Sequence, residues 1–315
     1  MKLTAKPRKL HRNNWWYKNW PYLMLTLPGI AVLFLMHTVP LYGLIMAFTD
    51  YNFADGIWGS PWNGFENFKY FFTSNDAWRV IRNTVGYNLI FMFAVNIGGG
   101  ALIALLLYEV RSKWTIKAYQ TSLLLPSFIS WVIVAYIGVV LFNPVYGLLN
   151  KITSAIGLGT ISWYNEPKYW PFILVIFEFW KNAGMASLYY YSALLNIDSS
   201  LFEAAELDGA GRFKQIIHIS LPEMIPMTCI LLITKMGTIL GGANSDYGIF
   251  YQLTIDSGPL YPATDVLGTY MLRGLESGDY GATTAVGLAQ SVVGIILVLI
   301  SNSIMRKISP ENAMF

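Results

Sequence analysis

Four ionisable side chains, His37, Glu178, Lys181 and Lys235, sit inside long apolar stretches of this 315-residue chain. A charge in such a stretch is costly unless it meets a partner or a water-filled cavity, so each marks a candidate site. Glu178, Lys181, Asn182 and Met185 fall on one helical face by the i, i+3, i+4 rule, and Tyr189 continues it. A stripe of carboxylate, amide and phenol offers hydrogen bonds and an aromatic platform to a polyhydroxylated solute. The plainer alternative is that Glu178 pairs with Lys181 or Lys235 as a bridge between helices, and pairing and lining a pathway are compatible. Trp131 and Tyr136 add aromatic candidates on a neighbouring run, where packing is the competing role. His37, just before Pro40, reads as a local packing residue.

Other chemistries lack their residues. The single cysteine, Cys229, rules out a disulfide framework and a cysteine-based zinc site, and the three histidines are far apart in sequence. No metal site is expected. No Gly-x-x-x-x-Gly-Lys-Ser/Thr loop occurs. The glycine run Gly98–Gly100 lies inside an apolar stretch, where it suits close helix packing. The acids are scattered, and no nucleophile stands beside a base.

The elements that must carry these groups are membrane helices. Residues are 55% hydrophobic and only 12% charged, against about 25% charged in ordinary soluble domains. Six apolar runs are long enough to span: Tyr22–Phe48, Thr84–Leu107, Tyr119–Phe142, Pro171–Leu195, Met224–Gly241 and Ala282–Met305. The fold class is therefore all-α integral membrane with six transmembrane helices, Pro40 and Pro126 predicting kinks in the first and third. Lys2, Lys6, Arg8, Lys9, Arg12 and Lys18 precede the first run without an acid, and Trp15, Trp16, Tyr17 and Trp20 form an interfacial anchor. With the N-terminus inside, the inner segments hold thirteen Lys and Arg and the outer segments six, which places both termini in the cytoplasm. The first run is too long for a cleavable signal peptide.

Three outer segments differ from simple connectors. Asp50–Ile81 is rich in Trp, Phe and Tyr. Asn143–Trp170 bears Gly, Tyr and Trp. Gly242–Gly281 has five acids (Asp246, Asp256, Asp265, Glu276, Asp279) against one base, Arg273. Together they predict a packed cap that doubles as a docking surface, or else a mere covering for helix ends. No internal repeat of 20–50 residues is visible.

The inner segment Asn196–Glu223 is longer than a connector needs. Ser200 followed by Glu203 forms a capping box that predicts a helix from Leu201. Gly209 and Gly211 allow a turn. Phe213, Ile216, Ile217 and Leu221 then recur at helical spacing until Pro222, with Pro226 opening the next run. The prediction is a helix–turn–helix outside the bilayer, with one apolar face and an acidic first helix.

Glu203-Ala204-Ala205, three residues, Gly209, nine residues, then Ile219-x-Leu221-Pro222 is similar to the EAA loop of bacterial ABC importer permeases. The fuller Glu-Ala-Ala-x-x-Asp-Gly-Ala form resembles the carbohydrate branch. The last outer loop, with Gly258-Pro259-Leu260, Thr264-Asp265 and Thr269-Tyr270, resembles permeases for oligosaccharides or polysaccharide fragments.

The resemblance implies a non-catalytic permease of the bacterial plasma membrane, pairing with a second homologous permease. Two ATPase subunits, or a homodimer of one, would bind ATP and magnesium, and an extracytoplasmic solute-binding protein would deliver the saccharide. No cofactor in this chain and no nucleic-acid partner are expected. Carried over by position, Glu203, Ala204, Ala205, Asp208, Gly209 and Phe213 would dock the ATPase, with a helix cap as the plain alternative for Glu203. Glu178, Asn182 and Lys235 fall at positions comparable to sugar contacts in maltose-type permeases, although the residue types differ.

The organisation that follows is a basic, aromatic cytoplasmic segment 1–21, a transmembrane domain 22–306 with its coupling loop at 196–223, and a cytoplasmic tail 307–315. A permease for a non-sugar solute is the alternative reading. An ion-coupled secondary transporter would leave the EAA loop unexplained and would predict inverted repeats.

Overall fold

The computed structural model of the chain describes residues 14–241 and 247–308. Lys2, Lys6, Arg8, Lys9, Arg12, Asp246 and residues 309–315 lie outside the described residues, as do the side chains of Trp15, Trp16, Tyr17 and Lys18. Among the described residues the secondary structure is helical, with one isolated β-bridge, Thr49 to Trp62.

Helix α1 (Asn14–Leu33) runs on through a π-helical turn, Phe34–Thr38, into a 3-10 stretch, Val39–Phe48. The kink expected at Pro40 thus takes the form of a change of helix type. Proline has no amide to donate, so the ladder widens before it and tightens after it. Short helix α2 (Glu66–Thr73) follows, then α3 (Asn75–Tyr108), whose middle, Phe91–Gly99, is π-helical. Ser74 caps α3 by accepting the Ala77 amide at 3.2 Å.

The run Tyr119–Phe142, read from sequence as one kinked span, is broken outright. Helices α4 (Lys113–Phe128) and α5 (Trp131–Phe142) meet at 90°. Pro126 removes an amide near the end of α4, Ile129 is extended, and Ser130 starts α5 by accepting the Ile133 amide at 3.4 Å. Helices α6 (Leu148–Ala155) and α7 (Trp170–Leu195) come next. The pair α8 (Ser199–Leu207) and α9 (Arg212–Glu223) leads to α10 (Ile225–Met236), bent 47° from α9 where Pro222 and Pro226 flank Met224. Helices α11 (Leu267–Glu276) and α12 (Tyr280–Ile308) complete the chain.

Three of these helices are long and apolar enough to cross a membrane: Asn19–Phe48, Asn75–Tyr108 and Tyr280–Lys307. The α4/α5 and α9/α10 pairs bring the number to five if each bent pair is one span. Helix α7, at 26 residues, has the length, about 39 Å at 1.5 Å per residue, but its polar stripe keeps it out of that set. α7 lies at the centre of the bundle. Gly100 on α3 lets the two helices approach until an added Cβ would sit 2.9 Å from that of Ala186, and one added at Gly184 would collide with the Leu123 backbone. Small residues permit such contact where no water is present to drive association.

At one end of the bundle the inter-helix segments form a packed cap. Asn150 donates to the carbonyls of Asn143, Pro144 and Ile161 and accepts from Trp163 Nε1 at 2.9 Å. Trp163, Trp170, Phe142, Leu253 and Leu260 continue the hydrophobic core beneath it. Ser257 donates to the Tyr164 carbonyl at 2.8 Å, joining two cap segments, and burial pushes the Tyr164 hydroxyl pKa up. The acids expected to be scattered are organised. Asp265, with a fully buried side chain, bridges Arg79 at 2.9 Å and Arg273 at 2.6 Å. Arg273 in turn reaches Asp256 at 3.4 Å and lies over the Tyr261 ring.

Candidate functional site

Glu178 and Lys235 are brought to one small cavity of about 60 Å³, together with Asn88, Phe91, Asn96 and Phe250. The π-helical stretch of α3 supplies one wall. Asn96 donates to the Phe91 carbonyl at 2.8 Å, the i−5 register of that stretch, and Asn88 donates to the Thr84 carbonyl at 3.0 Å. In both bonds the side-chain nitrogen donates, so neither engages the amide oxygen. A π-helical turn, Tyr247–Gln252, brings Ile249 and Phe250 as the apolar wall. Asn182 lies one helical turn from Glu178 and donates to its Oε1 at 2.7 Å. The cavity joins a carboxylate, an ammonium and amide oxygens to aromatic rings, a donor and acceptor set suited to hydroxyl groups.

The remaining residues of the stripe are elsewhere. No ion pair among the described residues joins Glu178 to Lys181 or Lys235. Lys181, only 6% exposed, donates its ammonium to the carbonyls of Pro126 at 3.1 Å and Ser127 at 3.3 Å, and also to that of Ile129. These carbonyls lie at the C-terminus of α4, that of Pro126 also taking the Ile129 amide at 3.2 Å, and a cation there meets the negative end of the helix dipole. The Trp131 ring stands 5.3 Å from the same ammonium. Lys181 and Trp131 therefore sit at the α4/α5 break, away from the cavity lining. Tyr189 is half exposed, more than a turn beyond Asn182 and also off the cavity.

Removing the Lys181 ammonium takes away the donor shared by three carbonyls at the break. Lys181→Met is expected to lower stability by about 2 kcal/mol, read as a lower unfolding midpoint in detergent or nanodiscs. An unchanged midpoint would show that the break holds itself.

Sequence reasoning missed Asn88, Asn96 and Thr238 of the lining. A signal was present for two of them, since Asn88 and Asn96 are uncharged amides inside an apolar run. For Ile249 and Phe250 there was none.

At the other end of the bundle lies the Asn196–Glu223 segment. Its first helix begins two residues earlier than the capping box suggests. Asp198, not Ser200, is the cap, its carboxylate accepting the Ser200 amide at 3.0 Å, and that bond holds its carboxyl below the usual carboxylate range. Ser200 is thereby drawn inside the helix.

Gly209 adopts φ +75°, and the turn closes with Gly209 N–H donating to the Glu206 carbonyl and Ala210 N–H to that of Ala205, the Schellman pair. Gly211 is extended, so only Gly209 needs to be glycine. Glu203, Ala204, Asp208 and Gly209 are exposed and Ala205 is half-buried.

The apolar face expected on the second helix is not the buried one. Gln215 and Ser220 are buried, while Phe213 is 75% exposed and Ile217 and Leu221 are also exposed. A π-helical turn at Ile216–Ser220 shifts the spacing from four to five residues and rotates the apolar positions outward. Leu207 on α8 is exposed as well, at 89%.

Residues 96–313 match the family described as binding-protein-dependent transport system inner membrane component. The chain is 35% identical to protein LplB of Bacillus subtilis, over 93% of this chain and 90% of that one. It is 34% identical to the polygalacturonan/rhamnogalacturonan transport system permease protein YteP of the same organism, over 92% and 88% of the two chains. Among solved structures it is similar to a chain of a bacterial alginate ABC transporter in complex with an alginate pentasaccharide-bound periplasmic protein. The TM-score is 0.82 at 32% identity, over 94% of this chain and 99% of that one.

Proposed function

This chain belongs to the family of inner membrane components of binding-protein-dependent transport systems, and from that membership we propose that it is one of two permease subunits of an ATP-driven importer for oligosaccharides or polysaccharide fragments. It is a transport protein of the bacterial inner membrane and hydrolyses nothing itself; a pair of ATPase subunits binds ATP and magnesium. Helices α1, α3, the α4/α5 pair, α7, α10 with the residues up to Gly241, and α12 are six spans, with both termini and the Asn196–Glu223 segment cytoplasmic and the cap on the outer side. Support comes from the Lys and Arg distribution and from the length of α7, whose polar face is tolerable in a bilayer because it borders a cavity.

The observation that carries the coupling role is the exposed α8 surface around Glu203, Ala204 and Ala205, closed by the Gly209 turn at the end opposite the cap. Small alanines let a partner helix or cleft approach closely, and Glu203 offers charge to a basic partner residue.

In operation, docking of a loaded binding protein on the cap favours closure of the ATPase dimer. Helix α8 moves with its ATPase as a rigid body, and the spans rotate to open the cavity outward; ATPase reopening turns it inward. Each step is a population shift that requires different contacts in the two states. Saccharide is the favoured cargo because one relative is named for polygalacturonan and rhamnogalacturonan transport and the lining pairs hydroxyl-binding groups with aromatic rings.

The test is uptake into proteoliposomes holding this chain, its partner permease and the ATPase, with a binding protein and radiolabelled oligogalacturonate. ATP-dependent accumulation that falls at least about tenfold in Glu178→Ala, equivalent to 1.4 kcal/mol, supports both the importer and the cavity. Uptake without ATP would overturn the importer, and full uptake in Glu178→Ala would overturn the cavity alone.

A further inference from the structure

The first cap segment carries four aromatic side chains that stay largely exposed: Phe53, Trp58, Trp62 and Phe65, between 69% and 84% exposed. A cluster of that size marks an interaction surface. Its depth is set by contacts to α1. Trp62 forms the β-bridge with Thr49 and stacks on Phe48 with ring centroids 5.5 Å apart. Asn67 on α2 donates to the carbonyls of Met46, Ala47 and Thr49, closing the end of the same helix. Tyr51 meets Tyr280 at the start of α12, with centroids 5.5 Å apart. The segment is thus held level with the ends of two membrane-crossing helices.

One contact reaches further. The Trp58 ring lies 6.4 Å from that of Tyr42, six residues before the end of the 3-10 stretch. At 2.0 Å per residue Tyr42 stands about 12 Å inside that end. A loop that merely rose into water to meet a soluble protein would not bring Trp58 down there. Tyr42 is itself on a flank that faces away from the rest of the fold, since only 6% of the apolar window of this helix is buried. The loop is also a built object. Gly56 takes φ +70°, and Ser60 Oγ donates to the Gly56 carbonyl at 2.7 Å while accepting the Asn52 amide at 3.0 Å.

We propose that segment 50–65 folds back along α1 and seats Phe53, Trp58, Trp62 and Phe65 in the bilayer, at the boundary between headgroups and acyl chains, as a lateral anchor beside the cap. Tryptophan suits that zone because its ring is apolar and its N–H finds headgroup or water partners. The anchor continues the lipid-facing surface of α1 and leaves docking of the binding protein to the remainder of the cap.

A nitroxide at Trp58→Cys, in the assembled importer in nanodiscs of phosphatidylcholine and phosphatidylglycerol, reads the depth directly. The native Cys229 is buried. Oxygen collisions should exceed those of a water-soluble nickel chelate, as at Ile295→Cys on α12 and unlike Glu166→Cys in the cap. Brominated lipid should quench the wild-type fluorescence more than that of Trp58→Phe. Three outcomes would each overturn the anchor. The first is a nickel collision rate equal to that at Glu166→Cys. The second is a nickel collision rate that drops only when binding protein is added. The third is silence toward both reagents, which means cover by a second permease. None of these depends on which solute is carried.

Discussion

Asp265→Ala is expected to loosen the cap and lower stability by about 3 kcal/mol, the low end for breaking a buried ionic network. The carboxylate is wholly buried and takes three bonds: from Arg79 at 2.9 Å, Arg273 at 2.6 Å and Thr269 Oγ1 at 2.8 Å. Removing it leaves two guanidinium groups partly buried without their shared acid. The low end applies because both arginines are about a quarter exposed and each keeps a second acid, Asp76 for Arg79 and Asp256 for Arg273. The exposed pair Glu66–Lys69 at 3.5 Å gives the contrast. Deleting it should change stability by well under about 1 kcal/mol.

The measurement is the unfolding midpoint of each variant, with hydrogen exchange over 261–276 to localise the change. Asp265→Asn keeps the shape and a hydrogen bond, and should fall between wild type and alanine. If Asp265→Ala unfolds like wild type, the cap is held by its aromatic core instead.

The second large effect is expected at Gly209. Its φ of +75° is the left-handed region, which proline cannot enter because its ring fixes φ near −65°. Gly209→Pro also removes the amide that bonds to the Glu206 carbonyl at 3.0 Å. Loss of the turn frees α8 from its orientation, and on the coupling role proposed for α8 a cost of about 2 kcal/mol is expected to reduce the docked population roughly thirtyfold. Binding-protein-stimulated ATP hydrolysis and co-purification of the ATPase should both collapse, while the cap and cavity keep their unfolding behaviour. Gly209→Ala, which costs about 1–2 kcal/mol in that region, should give a partial loss. Glu203→Arg leaves the turn intact and reverses one exposed charge, so it separates docking from folding. Full ATPase coupling in Gly209→Pro would refute α8 as the coupling element.

What the sequence determined on its own is what depends on near neighbours. Whereas the full break near Pro126 and the Asn182-to-Glu178 hydrogen bond emerge only in the structure, the long apolar runs, the helix break at Pro222, the Gly209 turn and the shared helical face of Glu178 and Asn182 all follow from residues within a few positions of one another. Even there, competition decided details. Asp198 outcompeted Ser200 for the cap, and with a π-helical turn at Ile216–Ser220 the side chains of Ile217 and Leu221 came out on the surface, as did Phe213 before it.

Tertiary structure alone decided which polar group meets which partner. Lys181, on the same stripe as Glu178, turned to carbonyls 52 to 55 residues away because α4 ends against α7 with its terminal carbonyls facing that helix. Asp265, one acid among five in its segment, became a hub through Arg79, 186 residues away. Phe250 became a cavity wall for α7 in the same manner. Helix propensity and periodicity are properties of the local backbone. The pairing of a buried charge is settled by which helices pack close enough to exclude water, and no short window of residues contains that.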